Sequence, residues 1–372
     1  MKRVLVAMSG GVDSSVAAFL LHQQGYDCIG VTMKLYENET VGCSRQKTCC
    51  SLDDIEDARS VCARIGIPYH VFNFTADFEH EVIDRFVAAY EQGFTPNPCI
   101  DCNRYLKFER LYHRARELGC DYIATGHYAR IEQDTATSRW LLKKGPDEGK
   151  DQSYVLYSLT QDQLEHTLLP LGGMSKDEVR KIAEEQGFIN ARKHDSQDIC
   201  FVPDGDYGAF LRRQTGKEYP AGDFLNEQGE VIGQHRGIIH YTVGQRRGIG
   251  ISAPQPLYVT AKSAQDNTVT LAPNGALLAR GLLANGMNLI AQPTLGGPTE
   301  VSARIRYHQR EEAATVLPAP GGGVYVVFRH PQRAIAPGQA VVLYQGDTVF
   351  GGGTILRAML PAELKEAEPS LN

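Results

Sequence analysis

Val4-Leu5-Val6-Ala7-Met8-Ser9-Gly10-Gly11-Val12-Asp13-Ser14-Ser15-Val16-Ala17 is the stretch that decides the fold. Its first four residues are an apolar run. Val16, Ala17, Leu20 and Leu21 then recur at helical spacing, so the stretch reads as strand, tight turn, helix. Paired glycines let a backbone approach an anion with no Cβ in the way. The exposed N–H groups and positive dipole end of the following helix favour phosphate. Ser14 and Ser15 offer hydroxyl donors, and Asp13 suits Mg²⁺, because a triphosphate normally arrives with metal. The Walker pattern is absent, since no lysine follows the glycines.

Reading outward, Gly25 ends the first helix and Cys28-Ile29-Gly30-Val31 reads as a second strand, with Met33 at its carboxyl end. Residues 37–50 are polar and carry Cys43, Cys49 and Cys50. Leu52, Ile55, Ala58, Val61, Cys62 and Ile65 mark a helix that Gly66 and Pro68 stop. A strand over Tyr69–Phe74, a helix over Phe78–Tyr90 and a strand over Tyr122–Thr125, ending in Gly126-His127, follow. Strands separated by helices predict an α/β domain, a parallel sheet covered on both faces. The glycine turn resembles the pyrophosphate loop of ATP pyrophosphatases, which implies cleavage between the α and β phosphates and an adenylated substrate.

Thr95-Pro96-Asn97-Pro98-Cys99-Ile100-Asp101-Cys102-Asn103 is expected to be a stiff loop, with two prolines opposing a helix. It delivers Cys102 to the start of a helix, where a thiolate is stabilised. Arg104 and Lys107 push the same way. Residues 133–151 read as a hairpin and loop, and Val179–Ala183 as a short helix. Cys200 lies in Asp195-Ser196-Gln197-Asp198-Ile199-Cys200-Phe201, which suits a loop thiol.

Near residue 203 the pattern changes to short Gly-rich segments, and from about residue 280 to β-like runs that suggest a small barrel. The expected organisation is a catalytic domain over 1–203, a small central domain over 204–275, a C-terminal β-barrel over 276–360 and a frayed tail over 361–372. No apolar run is long enough to span a membrane, and no leader pattern precedes the first strand. A cytoplasmic location is therefore expected, with the nine cysteines as thiols, ligands or catalysts rather than structural disulfides. Net charge is -6, which excludes a uniformly basic nucleic-acid binder. Residues 236–360 nevertheless hold eleven Lys/Arg against five Asp/Glu, whereas residues 1–100 hold eight against thirteen. A local phosphate-binding surface fits that asymmetry.

An adenylating loop and loop cysteines together suggest sulfur chemistry. Adenylation makes a carbonyl oxygen leave as AMP, one cysteine carries sulfur as a persulfide, and another attacks that persulfide and leaves a disulfide to be reduced. Further stretches sharpen the picture: Cys50-Ser51-Leu52-Asp53-Asp54, Ala124-Thr125-Gly126-His127-Tyr128, Lys150-Asp151-Gln152-Ser153-Tyr154, Tyr241-Thr242-Val243-Gly244-Gln245-Arg246-Arg247-Gly248, Arg304-Ile305-Arg306-Tyr307 and Ala336-Pro337-Gly338-Gln339. With the glycine turn and the two cysteine loops, they resemble the bacterial tRNA-specific 2-thiouridylases from Met1 to about Leu360. The resemblance implies sulfuration of the wobble uridine at C2 in tRNAs for Lys, Glu and Gln. ATP with Mg²⁺ would be consumed, tRNA bound, and persulfide sulfur taken from a cysteine desulfurase or a relay protein. It implies ATP binding by Ala7, Met8, Ser9, Gly10, Gly11, Val12, Asp13, Ser14, Met33 and Gly126. Cys102 would be the nucleophile and Cys200 the persulfide carrier, the pair passing through a disulfide bond. Asn97 and Pro98 would border the target base, while His127, Lys150, Asp151, Gln152, Arg306, Tyr307 and Gln339 would contact tRNA.

One position departs from that family. Many members carry Asp after Asn-Pro, where this chain has Cys99. A neutral thiol does not replace a carboxylate, so either Asp101 takes the role or the role is dispensable. Cys99-x-x-Cys102 could also be half of a metal knuckle completed by Cys49 and Cys50 or by Cys200, but a single pair lacks the second pair of a structural zinc site, and no bound cluster is expected. Cys28, Cys62 and Cys120 are expected to be buried and inert. Two rival functions remain at this point: a pyrophosphatase that adenylates a small molecule, and a non-catalytic RNA-binding protein.

Overall fold

The computed structural model describes residues 1–36, 52–193 and 199–367. Cys43, Cys49 and Cys50, whose roles the sequence leaves open, lie outside the described residues, as do residues 194–198. The chain divides into two compact units. One contains residues 1–83, 98–205 and 347–349; the other contains residues 84–97, 206–346 and 350–372.

The first unit is built on β1 (Arg3–Ala7), α1 (Val12–Gln23), β2 (Asp27–Lys34), α2 (Leu52–Ile65) and β3 (Tyr69–Asn73). A short α3 (Thr75–Phe78) passes into a π-helical stretch, Glu79–Ile83. After the second unit's α4 (Asp84–Glu91), the chain returns with α5 (Pro98–Asp101), a second π-helical stretch (Cys102–Arg110), α6 (Leu111–Glu117) and β4 (Tyr122–Ala124). The hairpin expected over 133–151 is β5 (Ala129–Gln133) and β6 (Trp140–Lys144). Then come α7 (Gln161–Glu165), β7 (Thr167–Leu168) and α8 (Lys176–Glu185).

The sheet order is β3-β2-β1-β4-β7, and the β1–β2, β1–β4, β2–β3 and β4–β7 pairings are all parallel. β1 is central, and Val4, Leu5 and Val6 are fully buried. Burial on both faces explains why β1 reads as a continuous apolar run rather than an alternation. Each such side chain contributes roughly 1.5–3 kcal/mol. Val12, Val16, Ala17 and Leu21 of α1 join the same core as Val61 and Cys62 of α2 and Val179 and Ala183 of α8.

The second unit opens with α4, whose Phe86 and Tyr90 pack against Tyr207 and Phe210 of α9 (Tyr207–Thr215). A four-stranded sheet follows: β8 (Gly222–Leu225), β9 (Val231–His235), β10 (Tyr258–Ser263) and β11 (Thr268–Ala272), in the order β10-β11-β8-β9. β12 (Leu278–Leu289), β13 (Thr299–Arg304), β14 (Glu312–Pro318), β15 (Val324–Arg333), β16 (Ala340–Gln345) and β17 (Thr348–Ala358) form the barrel. The β12–β17 pairing closes it.

Two local expectations change. Pro98 does not prevent a helix; it opens α5, because a proline's missing N–H is harmless in a first turn. In place of a frayed end, Pro361–Ala367 forms a helix, α10. Glu363 holds it by accepting from both Arg357 guanidinium nitrogens at 2.6 Å and from the Leu360 N–H at 2.7 Å.

Candidate active site

From β1 the chain winds first to β2 and β3 on one side, then to β4 on the other. The carboxyl ends of β1 and β4 therefore flank a switch point, the place where open parallel sheets bind ligands. The Ser9–Ser15 turn follows β1, and Gly126 follows β4. A Cβ on Gly126 would lie 2.8 Å from Asp13 C and from Ser14 N, so the end of β4 rests directly on the first turn of α1. Gly10 sits at φ +72°, and a Cβ there would lie 2.4 Å from the Asp54 carbonyl oxygen.

The serines behave differently from the expectation. Ser14 and Ser15 each donate their hydroxyl to the Gly11 carbonyl at 3.0 Å, and Ser14 Oγ accepts from the Ser9 N–H at 3.1 Å. Their hydroxyls brace the turn. Gly11 caps α1 without a side-chain bond, and the first intrahelical bond begins at Ser15 N–H. The amides before it are the donors suited to an anion. Below the turn, Thr32 Oγ1 donates to the Met8 carbonyl at 2.7 Å and accepts from Tyr69 OH at 2.7 Å. Met33 is buried on β2.

Asp13 is engaged on both oxygens. Lys176 Nζ lies 2.7 and 2.9 Å from them, and Tyr128 OH donates to Oδ1 at 2.6 Å. A Mg²⁺ contact at Asp13 would share this carboxylate with Lys176. Lys176 is buried at 7% exposure and was not singled out by the sequence reading. A signal for it exists. Ser175 and Glu178 form a capping box that starts α8, and a lysine in the first turn faces the wrong end of the helix dipole. Its charge is satisfied by Asp13 instead.

The Gly126–Tyr128 segment is locked to the Lys150–Tyr154 segment. Gln152 accepts from the Tyr128 N–H at 3.0 Å and donates its own N–H to the Tyr128 carbonyl at 2.9 Å. Asp151, buried, accepts from Ser153 N–H, Ser153 Oγ and Gly145 N–H. His127 is 8% exposed, its Nδ1 lies 2.7 Å from Thr125 Oγ1, and its ring lies 6.0 Å from that of Phe108. Burial, and to a lesser degree the nearby Lys107 charge, hold His127 well below the ordinary imidazole pKa. The folded chain keeps it neutral, while the unfolded chain protonates it near pH 6.5. Its contribution to stability is complete above pH 6.5 and is lost as pH falls towards the depressed folded value, at up to about 1.4 kcal/mol per pH unit. Urea midpoints should therefore fall between pH 7 and pH 5, and His127→Gln should flatten that slope.

The cysteines separate into two groups. Cys28 and Cys62 are buried, and burial pushes their thiols to about 11 and about 12. Burial raises Cys120 as well. Cys99 is exposed, and Cys102 and Cys200 are half-buried. Asp101 continues the helical backbone from α5 into the π-helical stretch that Cys102 opens, and such stretches recur at functional sites. Next to Cys102, buried Asn103 donates to the Val155 carbonyl at 3.2 Å. At Cys200, Tyr36 OH donates to the carbonyl at 3.2 Å, and Phe201 packs edge-on against Phe78. Each half-buried thiol thus adjoins a fixed neighbour in the first unit.

In the second unit, Gln339 Nε2 donates to the Thr95 carbonyl at 2.7 Å, and Thr95 N–H donates to the Pro337 carbonyl at 2.8 Å. The turn at Ala336–Gln339 thereby holds the backbone two residues before Asn97. Arg306 donates to the carbonyls of Val243 and Ala334, both at 3.1 Å, which binds the Tyr241–Gly248 stretch to the barrel. Tyr307 packs against His308.

Three family models match the chain: a tRNA methyl transferase HUP domain over residues 2–204, a tRNA methyl transferase PRC-barrel domain over 208–273 and an aminomethyltransferase beta-barrel domain over 279–355. A tRNA-specific 2-thiouridylase MnmA of Clostridioides difficile is 49% identical over 96% of this chain and 99% of its own length. One of Symbiobacterium thermophilum is 51% identical over 96% and 93%. Among solved structures, a 4-thiouridine synthetase–RNA complex with bound ATP covers 54% of this chain and 45% of its own, at TM-score 0.34 and 20% identity, too distant a likeness to argue from.

Proposed function

The chain belongs to the tRNA-specific 2-thiouridylase family, and from that premise we propose that it thiolates the wobble uridine of tRNAs for Lys, Glu and Gln at C2, at the expense of ATP. The amides at the start of α1 would receive the phosphates. The uridine C2 oxygen would attack the α-phosphorus, pyrophosphate would leave, and C2 would carry an AMP ester. Lys176 keeps the Asp13 carboxylate compensated beside the phosphates. Mg²⁺, when bound with ATP, would offset further phosphate charge.

Sulfur would arrive on Cys200 as a persulfide, delivered by a cysteine desulfurase or relay protein. The Cys102 thiolate attacks the inner sulfur, a Cys102–Cys200 disulfide forms, and hydrosulfide leaves with the electron pair of the broken S–S bond. Hydrosulfide adds at C2, and AMP departs with the original oxygen. An external dithiol, or two monothiols, supplies two electrons to reset the pair and is itself oxidised to a disulfide. The observation that carries this reading is the pair of half-buried thiols, Cys102 and Cys200, in the same unit as the nucleotide turn. It favours thiolation over the methyl transfer named in two of the matching models, which needs no such pair.

Purified protein with ATP, Mg²⁺, sulfide and unmodified glutamate tRNA should yield 2-thiouridine, read by mass spectrometry of digested tRNA, with one pyrophosphate released per thiolation. Neither thiouridine nor pyrophosphate would refute the reading. Pyrophosphate with a small molecule in place of tRNA would favour the small-molecule rival.

A further inference from the structure

Two side chains outside the Ser9–Ser15 turn converge on one of its carbonyls. Asn190 Nδ2 donates to Gly10 O at 3.0 Å and to Ser15 Oγ at 2.9 Å. Lys193 Nζ donates to the same Gly10 O at 3.3 Å. Its other bonds run to Asp54 Oδ1 and Asp57 Oδ2, both at 2.6 Å. Asn190 is 3% exposed, and its Oδ1 is buried with no hydrogen-bond partner among the described residues. A buried unsatisfied oxygen is costly, so the side chain is held there by its donors.

In a trans peptide, the carbonyl of one residue and the N–H of the next point in opposite directions. Holding Gly10 O towards Asn190 and Lys193 therefore turns the Gly11 N–H the other way. Among the described residues that N–H has only a long contact, to Ser9 Oγ at 3.4 Å, so it is readily given up to a stronger acceptor. Lys193 has a second effect. The first turn of α2 lies against Gly10; it carries Asp54, and Asp57 follows about one helical turn later on the same face. The ammonium lies between them and the turn, where it offsets charge that would otherwise repel a polyphosphate.

We propose that Asn190 and Lys193 are positioning residues for the nucleotide phosphates, fixing the Gly10–Gly11 peptide so that its N–H faces the anion and screening it from Asp54 and Asp57. The inference rests on the nucleotide reading above and assigns work within it.

Initial rates of tRNA-dependent pyrophosphate release by the full-length protein test it. Lys193→Met should raise KM for ATP about tenfold, the size expected for losing a charge-assisted hydrogen bond, with KM for tRNA unchanged. Asn190→Ala should act in the same direction. Lys193→Arg should stay near wild type. Adding Asp57→Asn to Lys193→Met should recover much of the lost ATP affinity, which a purely structural role would not produce. Thermal melts identify any variant that fails to fold, and the partly exposed Lys193 gives the cleaner test. An unchanged KM for ATP in folded Lys193→Met and Asn190→Ala overturns the proposal. So does a parallel rise in both KM values. Absence of pyrophosphate release from wild type would instead overturn the nucleotide reading itself.

Discussion

Alanine at Cys102 is expected to abolish 2-thiouridine when a desulfurase supplies the sulfur, by at least about a thousandfold, the scale seen when a catalytic nucleophile is removed. Pyrophosphate release on tRNA should persist, because adenylation involves the turn after β1 and not the thiol. Cys200→Ala should fail equally under that supply, and both variants should retain product when free sulfide is supplied, since hydrosulfide then arrives with no persulfide to carry or to open. The two sulfur supplies thus separate sulfur delivery, which needs both cysteines, from adenylation, which needs neither. Two buried thiols of the first unit do not substitute. Cys28 and Cys62, at about 11 and about 12, hold almost no thiolate at neutral pH. Paired assays of thiouridine by mass spectrometry and of pyrophosphate by a coupled enzyme read both halves. Equal loss of both products from Cys102→Ala would contradict the division of labour.

Gly10→Ala should be nearly as damaging, for a different reason. The new Cβ would meet the Asp54 carbonyl oxygen at 2.4 Å and the Asp54 Cα at 2.7 Å. These are backbone atoms, so no side chain can swing aside and the start of α2 must move. The left-handed φ of +72° adds roughly 1–2 kcal/mol for an L-residue, and the overpacking adds roughly 1–3 more. ATP affinity should drop by about a hundredfold or more, matching about 3 kcal/mol of misplacement. Gly11→Ala is the control. Its Cβ meets only Ser9 Oγ, at 3.3 Å, and its φ of -90° is ordinary, so the loss there should be several-fold at most. Isothermal titration with a non-hydrolysable ATP analogue, beside thermal melts, separates binding from folding.

Much of the first unit was legible because its signals are local. The Val4–Ala7 run, the paired glycines and the spacing of Val16, Ala17, Leu20 and Leu21 all point the same way, and the strand, turn and helix follow. The extent of β12 is not legible in the sequence, because Leu278–Leu289 mixes Ala, Gly and Asn with its apolar residues and shows no clean alternation. The C-terminal helix was missed because Pro361–Ala367 is short and largely polar; its stability comes from Arg357 on the preceding strand. In the site, the turn and the two cysteines could be read directly. Lys176, Asn190 and Lys193 could not, because each acts on the turn from more than 160 residues away in the chain. The roles of Ser14 and Ser15 depended on where their hydroxyls rotate, and that is decided by the Gly11 carbonyl.

The division of the chain into interleaved units bears on how it can be made and cut. Residues 84–97 belong with the C-terminal half, and residues 347–349 belong with the N-terminal half. A nascent chain that has emerged only as far as residue 205 carries Phe86 and Tyr90 without Tyr207 and Phe210 to cover them. The β5–β6 hairpin, meanwhile, waits for Asp347, which later bonds Arg130 and Lys144. Neither half is complete until nearly the whole chain has been synthesised, so maturation is late and sensitive to pausing. A fragment ending near residue 205 should expose aromatic surface and aggregate. A separable first unit would need its 84–97 excursion replaced by a short polar linker.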